Sequence, residues 1–262
     1  MNVAARALLA PALLALSLLV PVVPASAETL NVAASTERVE ITSNFSGTTL
    51  TVYGTIERDR VTVGRAEGYE IAVVLDGPRR PVVARRKERI AGLWVNRAAR
   101  TYEAPAFYAL ATTAPIADMA EPDVLKVAQV GIDSLILPER VPGGVEVMAG
   151  TAEFRDGLLR LKRRAGLYTE YPEAVKRIGS SLFSVSLPIP AEVPVGTYAA
   201  RVVLFGGGSR LAESAVEVTV AKSGFESEVA DLASRWPVAY GLMSVMVALF
   251  TGWLGGVMFR RD

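Results

Sequence analysis

Histidine and cysteine are both absent from the 262-residue chain. The first absence removes the side chain that most often titrates near neutral pH and most often ligates zinc or copper. The second removes disulfides, thiolate nucleophiles, iron–sulfur ligands and c-type haem attachment. Ser-His-Asp and Cys-His nucleophile systems and the zinc-hydrolase motifs are therefore excluded, which leaves carboxylate, lysine or tyrosine chemistry as the catalytic options. An excess of either charge is also missing. With 28 basic against 27 acidic residues, bulk electrostatics makes no case for a nucleic-acid partner. The six methionines lie mostly inside hydrophobic segments and form no soft-metal site, so neither a metal nor a cofactor is expected.

Long apolar runs occur only at the two ends. Residues 1–27 read as an export signal: Arg6, then the apolar run ALLAPALLALSLLV, then Ala25-Ser26-Ala27, the small–x–small pattern of a signal-peptidase site. At the other end, Pro237 to Phe259 runs 23 residues without a charge. About 20 apolar residues, rising about 1.5 Å each, cross a hydrocarbon core of about 30 Å. Arg260 and Arg261 follow at once, so the positive-inside rule puts residues 260–262 in the cytoplasm, with Trp236 and Tyr240 at the opposite interface. The expected location is a single-pass inner-membrane protein with a periplasmic ectodomain.

Between the ends, short alternating segments broken by turn residues predict strands. They include Val39–Asn44 and Thr49–Ile56 about a Ser46-Gly47 turn, and further strands around Asp76-Gly77-Pro78. Near Asp118 the period changes. EPDVLKVAQVGIDSLIL and AEFRDGLLRLKRRAGLY look helical, the latter with Phe154, Leu158 and Leu161 on one face and Arg155, Lys162 and Arg163 turned outward. Strands return near Leu182–Leu187, Gly196–Phe205 and Leu211–Val220, with Gly206-Gly207-Gly208 as a hairpin loop. The fold class expected is mainly β: two immunoglobulin-like β-sandwiches, 28–120 and 121–222, with a short helical segment between or inserted. A juxtamembrane helix over 223–236, capped by Ser223 and Glu226, then leads into a transmembrane helix over 237–259.

The segments RRKERIAGLWVN, GLYTEYPEAV, LPIPAEVPVGTYAARVVLF and YGLMSVMVALFTGWLGGVMFR, in this order across nearly the whole mature chain, resemble a family of alphaproteobacterial transmembrane proteins of unknown function. The resemblance implies a periplasmic ectodomain on one C-terminal membrane helix and supplies neither activity nor ligand. Members of that family lie near genes for sulfite-exporter-like permeases, which implies a role accessory to transport.

Three constellations bear on function. Arg79, Arg80, Arg85, Arg86, Lys87 and Arg89 form the densest charge cluster; guanidinium forks suit phosphate, sulfate, carboxylate or anionic lipid headgroups. A solvated hairpin is the plainer account, with the neighbouring Trp94 packed in the core. Ser244, Ala248, Gly252 and Gly256 recur every four residues in the membrane helix, a small-residue stripe that permits close helix approach in lipid. Glu170 and Glu173 beside Tyr168 and Tyr171 are the only carboxylate pair that hints at a hydrolase, and an ordered surface loop is the simpler expectation. The reading is a non-enzymatic interaction module, accessory to another inner-membrane protein such as a transporter or self-associating through its helix. Binding of a small anion or envelope polymer by the Arg79–Arg89 region is the alternative.

Overall fold

The computed structural model describes residues 28–42, 45–58, 68–141, 144–146, 152–179, 181–223, 229 and 232–258. The expected export signal, most of the capping box at 223–226 and the terminal arginines lie outside the described residues. The strands are β1 (Glu28–Ala34), β2 (Arg38–Ile41), β3 (Thr48–Arg58), β4 (Glu70–Asp76), β5 (Arg79–Ile90), β6 (Leu93–Pro105), β7 (Tyr108–Thr112), β8 (Glu139–Val141), β9 (Gly144–Glu146), β10 (Tyr168–Tyr171), β11 (Lys176–Ile178), β12 (Leu182–Ile189), β13 (Gly196–Gly206) and β14 (Ser209–Lys222). The helices are α1 (Ile116–Met119), α2 (Pro122–Ala128), a 3-10 turn (Ile132–Ser134), α3 (Ala152–Arg164) and α4 (Pro237–Met258).

Period-two alternation fixes which face of each strand is buried. In β3, Leu50, Val52 and Ile56 are buried, and in β12 so are Phe183, Val185, Leu187 and Ile189. These side chains form one inner face of a sandwich. The opposing face comes from Ile71, Val73 and Leu75 of β4, Tyr198, Ala200, Val202 and Leu204 of β13, and Val218 and Val220 of β14. The first sheet has the order β1-β3-β12-β11 and the second β10-β7-β4-β13-β14-β2. Every pairing in the first is antiparallel; the second is bounded by two parallel pairs, β10 with β7 and β14 with β2. Gly54 is needed on β3 between its two neighbours in the first sheet, β1 and β12. A Cβ there would run into the Asn31 carbonyl oxygen and sit 2.7 Å from Phe183 Cζ.

The second sheet is buried on both sides at β7, β4 and the second half of β13. Its outer face, with Ala72, Val74, Tyr108, Leu110, Val203 and Phe205, is covered by Met119, Leu125, Ile132, Leu135, Leu158 and Leu159 of the helical layer. That explains why β4 reads as an unbroken apolar run rather than an alternating one. The strands on either side of residue 120 pair with each other: β3 with β12, β4 with β13, β2 with β14. One sandwich built from both segments therefore takes the place of the two successive sandwiches expected, and the helical segment lies against its outer face.

Between β4 and β7 the chain leaves the sandwich as a long hairpin arm, β5–β6, which carries a third sheet of order β5-β6-β8-β9. Ile90 pairs with Leu93 across a two-residue loop, and Ala91 and Gly92 have φ of 48° and 86°. Positive φ at both positions is the type I′ geometry that matches strand twist. Between Arg86 and Lys87 the register shifts, from Arg86 opposite Ala98 to Lys87 opposite Asn96. Arg97 is thus the additional residue of a bulge on β6.

The helical expectations are met in part. In α3 Leu158 and Leu159 are buried while Leu161 is exposed, so the stripe is rotated from the one predicted, because this helix packs on β5 and β10 at once. The long helix expected over EPDVLKVAQVGIDSLIL is broken at Gln129, whose φ of 50° closes α2 in a left-handed cap. Tyr168–Tyr171 is a strand, not a surface loop, because its parallel pairing with β7 satisfies its backbone. α4 spans 22 residues, about 33 Å at helical rise, has mean hydropathy 1.7 over an 18-residue stretch and contains no buried residue. It is long and apolar enough to cross a membrane. Hydrogen bonds from Trp236 N to Leu232 O and from Tyr240 N to Trp236 O carry helical bonding across Pro237.

Candidate functional site

The six basic residues singled out in the sequence all lie on β5, and strand alternation divides them. Arg79 and Arg80, at the root of the arm, are tied to the body. Arg79 donates from Nη1 to the Ile136 carbonyl at 3.2 Å and from Nη2 to Gln129 Oε1 at 3.1 Å; Arg80 donates to the Val195 carbonyl at 2.9 Å. Arg86 faces α3, where it pairs with Glu153 at 2.9 Å and with Glu88 on its own strand. Arg85, Lys87 and Arg89 occupy the opposite face of the strand, are exposed, and have no ion-pair partner among the described residues. Half the cluster holds the arm in place, and half is a free cationic row.

Past Ala84 and Arg100 the arm is exposed on both faces, only Glu88 and Ala98 being half-buried among its residues with a described side chain. At its tip the residues flanking the turn are apolar and open to solvent: Leu93 is 72% and Trp94 69% exposed, and Ile90 and Val95 nearly half. The expected core placement of Trp94 is thus corrected. It sits two residues from the type I′ turn, beyond the reach of either core, opposite Arg89 in the ladder. The signal that could have found this is the cluster Ile90-Ala91-Gly92-Leu93-Trp94-Val95 itself, apolar on both sides of a turn and therefore on both faces of a hairpin.

On the inner side, β5 and α3 flank an open groove of about 550 Å³ whose walls include Val82, Ala84, Phe154, Leu158 and Leu161. The Arg86–Glu153 pair spans it. The basic run on α3 is less solvated than expected. Lys162 donates to the Ala106 carbonyl at 3.3 Å and stands 5.5 Å above the Tyr168 ring, and burial lowers its pKa. Arg155 bonds the carbonyls of Asp133 and Leu135, and Arg163 pairs with Asp133 at 2.9 Å. Arg155 and Arg163 fasten α3 to the Asp133–Leu135 segment, and Lys162 fastens it to the segment between β6 and β7.

Glu170 and Glu173 are not brought together over a cavity. Glu170 Oε1 accepts from the Ile132 amide at 2.6 Å, capping the 3-10 turn, whereas Glu173 is exposed in a turn with φ of 59°. The titratable groups with the largest displacements are tyrosines with structural partners. Burial raises the pKa of Tyr108, Tyr168 and Tyr198, the last to about 12. Their hydroxyls donate to the carbonyls of Gln129, Pro105 and Pro194. Asp76 is raised by burial and held back by Arg201, which approaches it to 3.4 Å. No group of three or more metal-ligating side chains occurs among the described residues.

In α4, Ser244, Ala248, Gly252 and Gly256 follow one another at four-residue intervals along one side. The Ser244 hydroxyl is spent on the Tyr240 carbonyl at 2.9 Å. A Cβ added at Gly252, Gly255 or Gly256 would meet nothing within 4 Å, so no packing among the described residues calls for these glycines. Phe250 and Trp253, with ring centroids 6.0 Å apart, stand off the stripe.

No curated protein sequence matches the chain. A family model described as "Putative transmembrane protein (Alph_Pro_TM)" matches residues 29–261, sandwich, arm and apolar helix together, and the chain belongs to that family.

Proposed function

We propose that the chain is a non-enzymatic interaction module, held in the inner membrane by α4, with its β-rich body in the periplasm and its C-terminus in the cytoplasm. It acts as an accessory to another inner-membrane protein, such as a transporter. One observation carries the reading: α4 has no buried residue and keeps a line of small residues whose glycines, Gly252 and Gly256, meet nothing among the described residues. In lipid there is little hydrophobic drive between helices, so a glycine stripe favours association by letting a second backbone come close. Orientation follows from Arg260 and Arg261 after the helix. The non-enzymatic part rests on the absence of histidine and cysteine and on the engagement of Glu170 and the buried tyrosines with backbone partners.

The sandwich itself is immunoglobulin-like on this reading. Its first sheet matches the order ABED, and β14-β13-β4 matches GFC, extended by β7 and β10 on one side and by β2 on the other. The Tyr198 hydroxyl donates to the Pro194 carbonyl at 2.7 Å, near the start of the strand in the F position. This is the arrangement of a tyrosine corner. The alternative ligand, a small anion or envelope polymer bound by the Arg79–Arg89 region, would have to rely on Arg85, Lys87 and Arg89, since the other three cations have partners within the chain.

The test is crosslinking in the membrane. Replacing Gly252 and Gly256 by Leu fills the stripe and should abolish a crosslink from α4 to a second helix, whether of a different protein or of another copy. An unchanged crosslink removes the proposal.

A further inference from the structure

We propose that the β5–β6 arm is a second membrane contact: its apolar tip enters the headgroup region of the bilayer that α4 crosses, and the Arg85–Lys87–Arg89 row binds anionic lipid headgroups there. This goes beyond the helix-partner reading and stands on different residues. Three observations meet at the arm. Its tip exposes Ile90, Leu93, Trp94 and Val95 together, on a projection that neither core covers. Scattered surface apolar residues are ordinary, but a contiguous cluster at the end of an arm marks a contact surface. A tryptophan beside aliphatic residues is the composition that settles at the level of lipid headgroups.

The second observation is charge. Arg85, Lys87 and Arg89 lie on one face within the last six residues of β5, exposed and without acidic partners among the described residues. They form a collar about 7–20 Å behind the turn at strand rise. A tip inserted about 5–10 Å into the interface would bring this collar to the phosphate layer. Each cation near an anionic surface favours the bound state by roughly fivefold.

The third is position. β4 and β14 both pair antiparallel with β13 and so run the same way; Asp76 and Glu217 are both opposite Ala199. The arm springs from Arg79, three residues past Asp76, and β14 ends at Lys222, five past Glu217. The arm is thus rooted at the end of the sandwich from which the chain departs for α4. The intervening residues 223–236 span about 21 Å if helical and at most about 50 Å if extended. From Arg85 to the turn the exposed part of the arm is about 20 Å long. The bilayer is within reach of the tip, and the anchor keeps it there at high effective concentration.

The absence of native cysteine makes a site-specific test clean. The full chain carrying Val95→Cys, or Ser209→Cys at the opposite end of β14 as a control, is labelled with a fluorophore. It is then reconstituted in vesicles of phosphatidylcholine alone or with phosphatidylglycerol in equal parts, containing nitroxide-labelled lipid as quencher. The expected result is quenching at position 95 that exceeds that at 209 several-fold in the anionic vesicles and weakens with added sodium chloride. Arg85→Ala with Lys87→Ala and Arg89→Ala should lower the docked-to-free ratio by up to about a hundredfold. Equal quenching at the two positions, or quenching at 95 that ignores both lipid charge and salt, overturns the proposal. So does displacement of the tip by inorganic phosphate but not by chloride at equal ionic strength, which would make the row a site for a soluble anion. The comparison of lipid compositions needs no charge substitution, so the test stands even if the triple variant fails to fold.

Discussion

Thr51 on β3 and Ser186 on β12 face each other across the seam where the two segments of the chain meet, their hydroxyl oxygens 3.2 Å apart and 135 residues apart in sequence. Converting both to cysteine in a chain that has none offers a single disulfide with no competing thiol. Residues opposed in an antiparallel ladder have Cα atoms about 4.5–5.5 Å apart, inside the range of about 4.4–6.8 Å that a disulfide accepts. Closing a loop of that length removes about 17 cal/mol/K from the unfolded chain, or about 5 kcal/mol at room temperature. This is an upper bound, since strain in the folded state subtracts from it. For a body of this size it corresponds to a rise in melting temperature of about 10–20 °C. Mild oxidation of the folded protein should give one fast-migrating band on non-reducing electrophoresis, and the oxidised form should melt well above the reduced one. Two thiols that stay free in the folded protein would refute the shared sandwich, because separate sandwiches divided at residue 120 would have no reason to hold these positions together.

Further outcomes follow from individual contacts. Tyr198→Phe loses the bond to the Pro194 carbonyl and keeps the buried ring; it should cost about 1 kcal/mol in a denaturant titration. Asp76 has its pKa raised above 3.8 by burial, so the unfolded chain releases this proton first and stability falls as pH rises from 3.8 to the higher folded value, then levels. The difference in stability between wild type and Asp76→Asn should therefore change with pH across that range and stay constant above it. Arg100→Ala strips the cation at 2.9 Å from Glu139, whose side chain is nearly fully buried. Leaving a buried carboxylate without its partner should cost about 1–3 kcal/mol in a thermal melt.

How much of this was legible in the sequence depends on the range of the interaction. The apolar helix, expected over 237–259, occupies Pro237–Met258 of the described residues, because length and hydropathy are local properties. β12, β13 and β14 contain the segments predicted for them, since alternation is local too. Strand partnership is not local. That β12 pairs with β3 rather than with a neighbour in sequence is decided by which apolar faces bury each other, and no period of two or 3.6 encodes it. The arm is illegible in the sequence for a related reason. Trp94 in an alternating segment looks like a core residue, and only the length of the hairpin beyond its last packed residues, Val82 and Ala84, puts it in the open. The division of the six cations was legible in principle, because alternation alone separates Arg85, Lys87 and Arg89 from Arg80 and Arg86. Which side faced α3 was not, because that rests on the Arg86–Glu153 pair formed across 67 residues of sequence.

The central claim is that α4 recognises a second membrane protein as well as anchoring the chain. Affinity purification of the full-length chain in its native membrane, wild type beside the variant with Gly252→Leu and Gly256→Leu, tests it most directly. The account predicts a membrane protein, another copy included, that co-purifies with wild type in stable proportion and is lost from the variant. A variant that is inserted normally and retains the same companions, or a wild type that purifies alone, would contradict it.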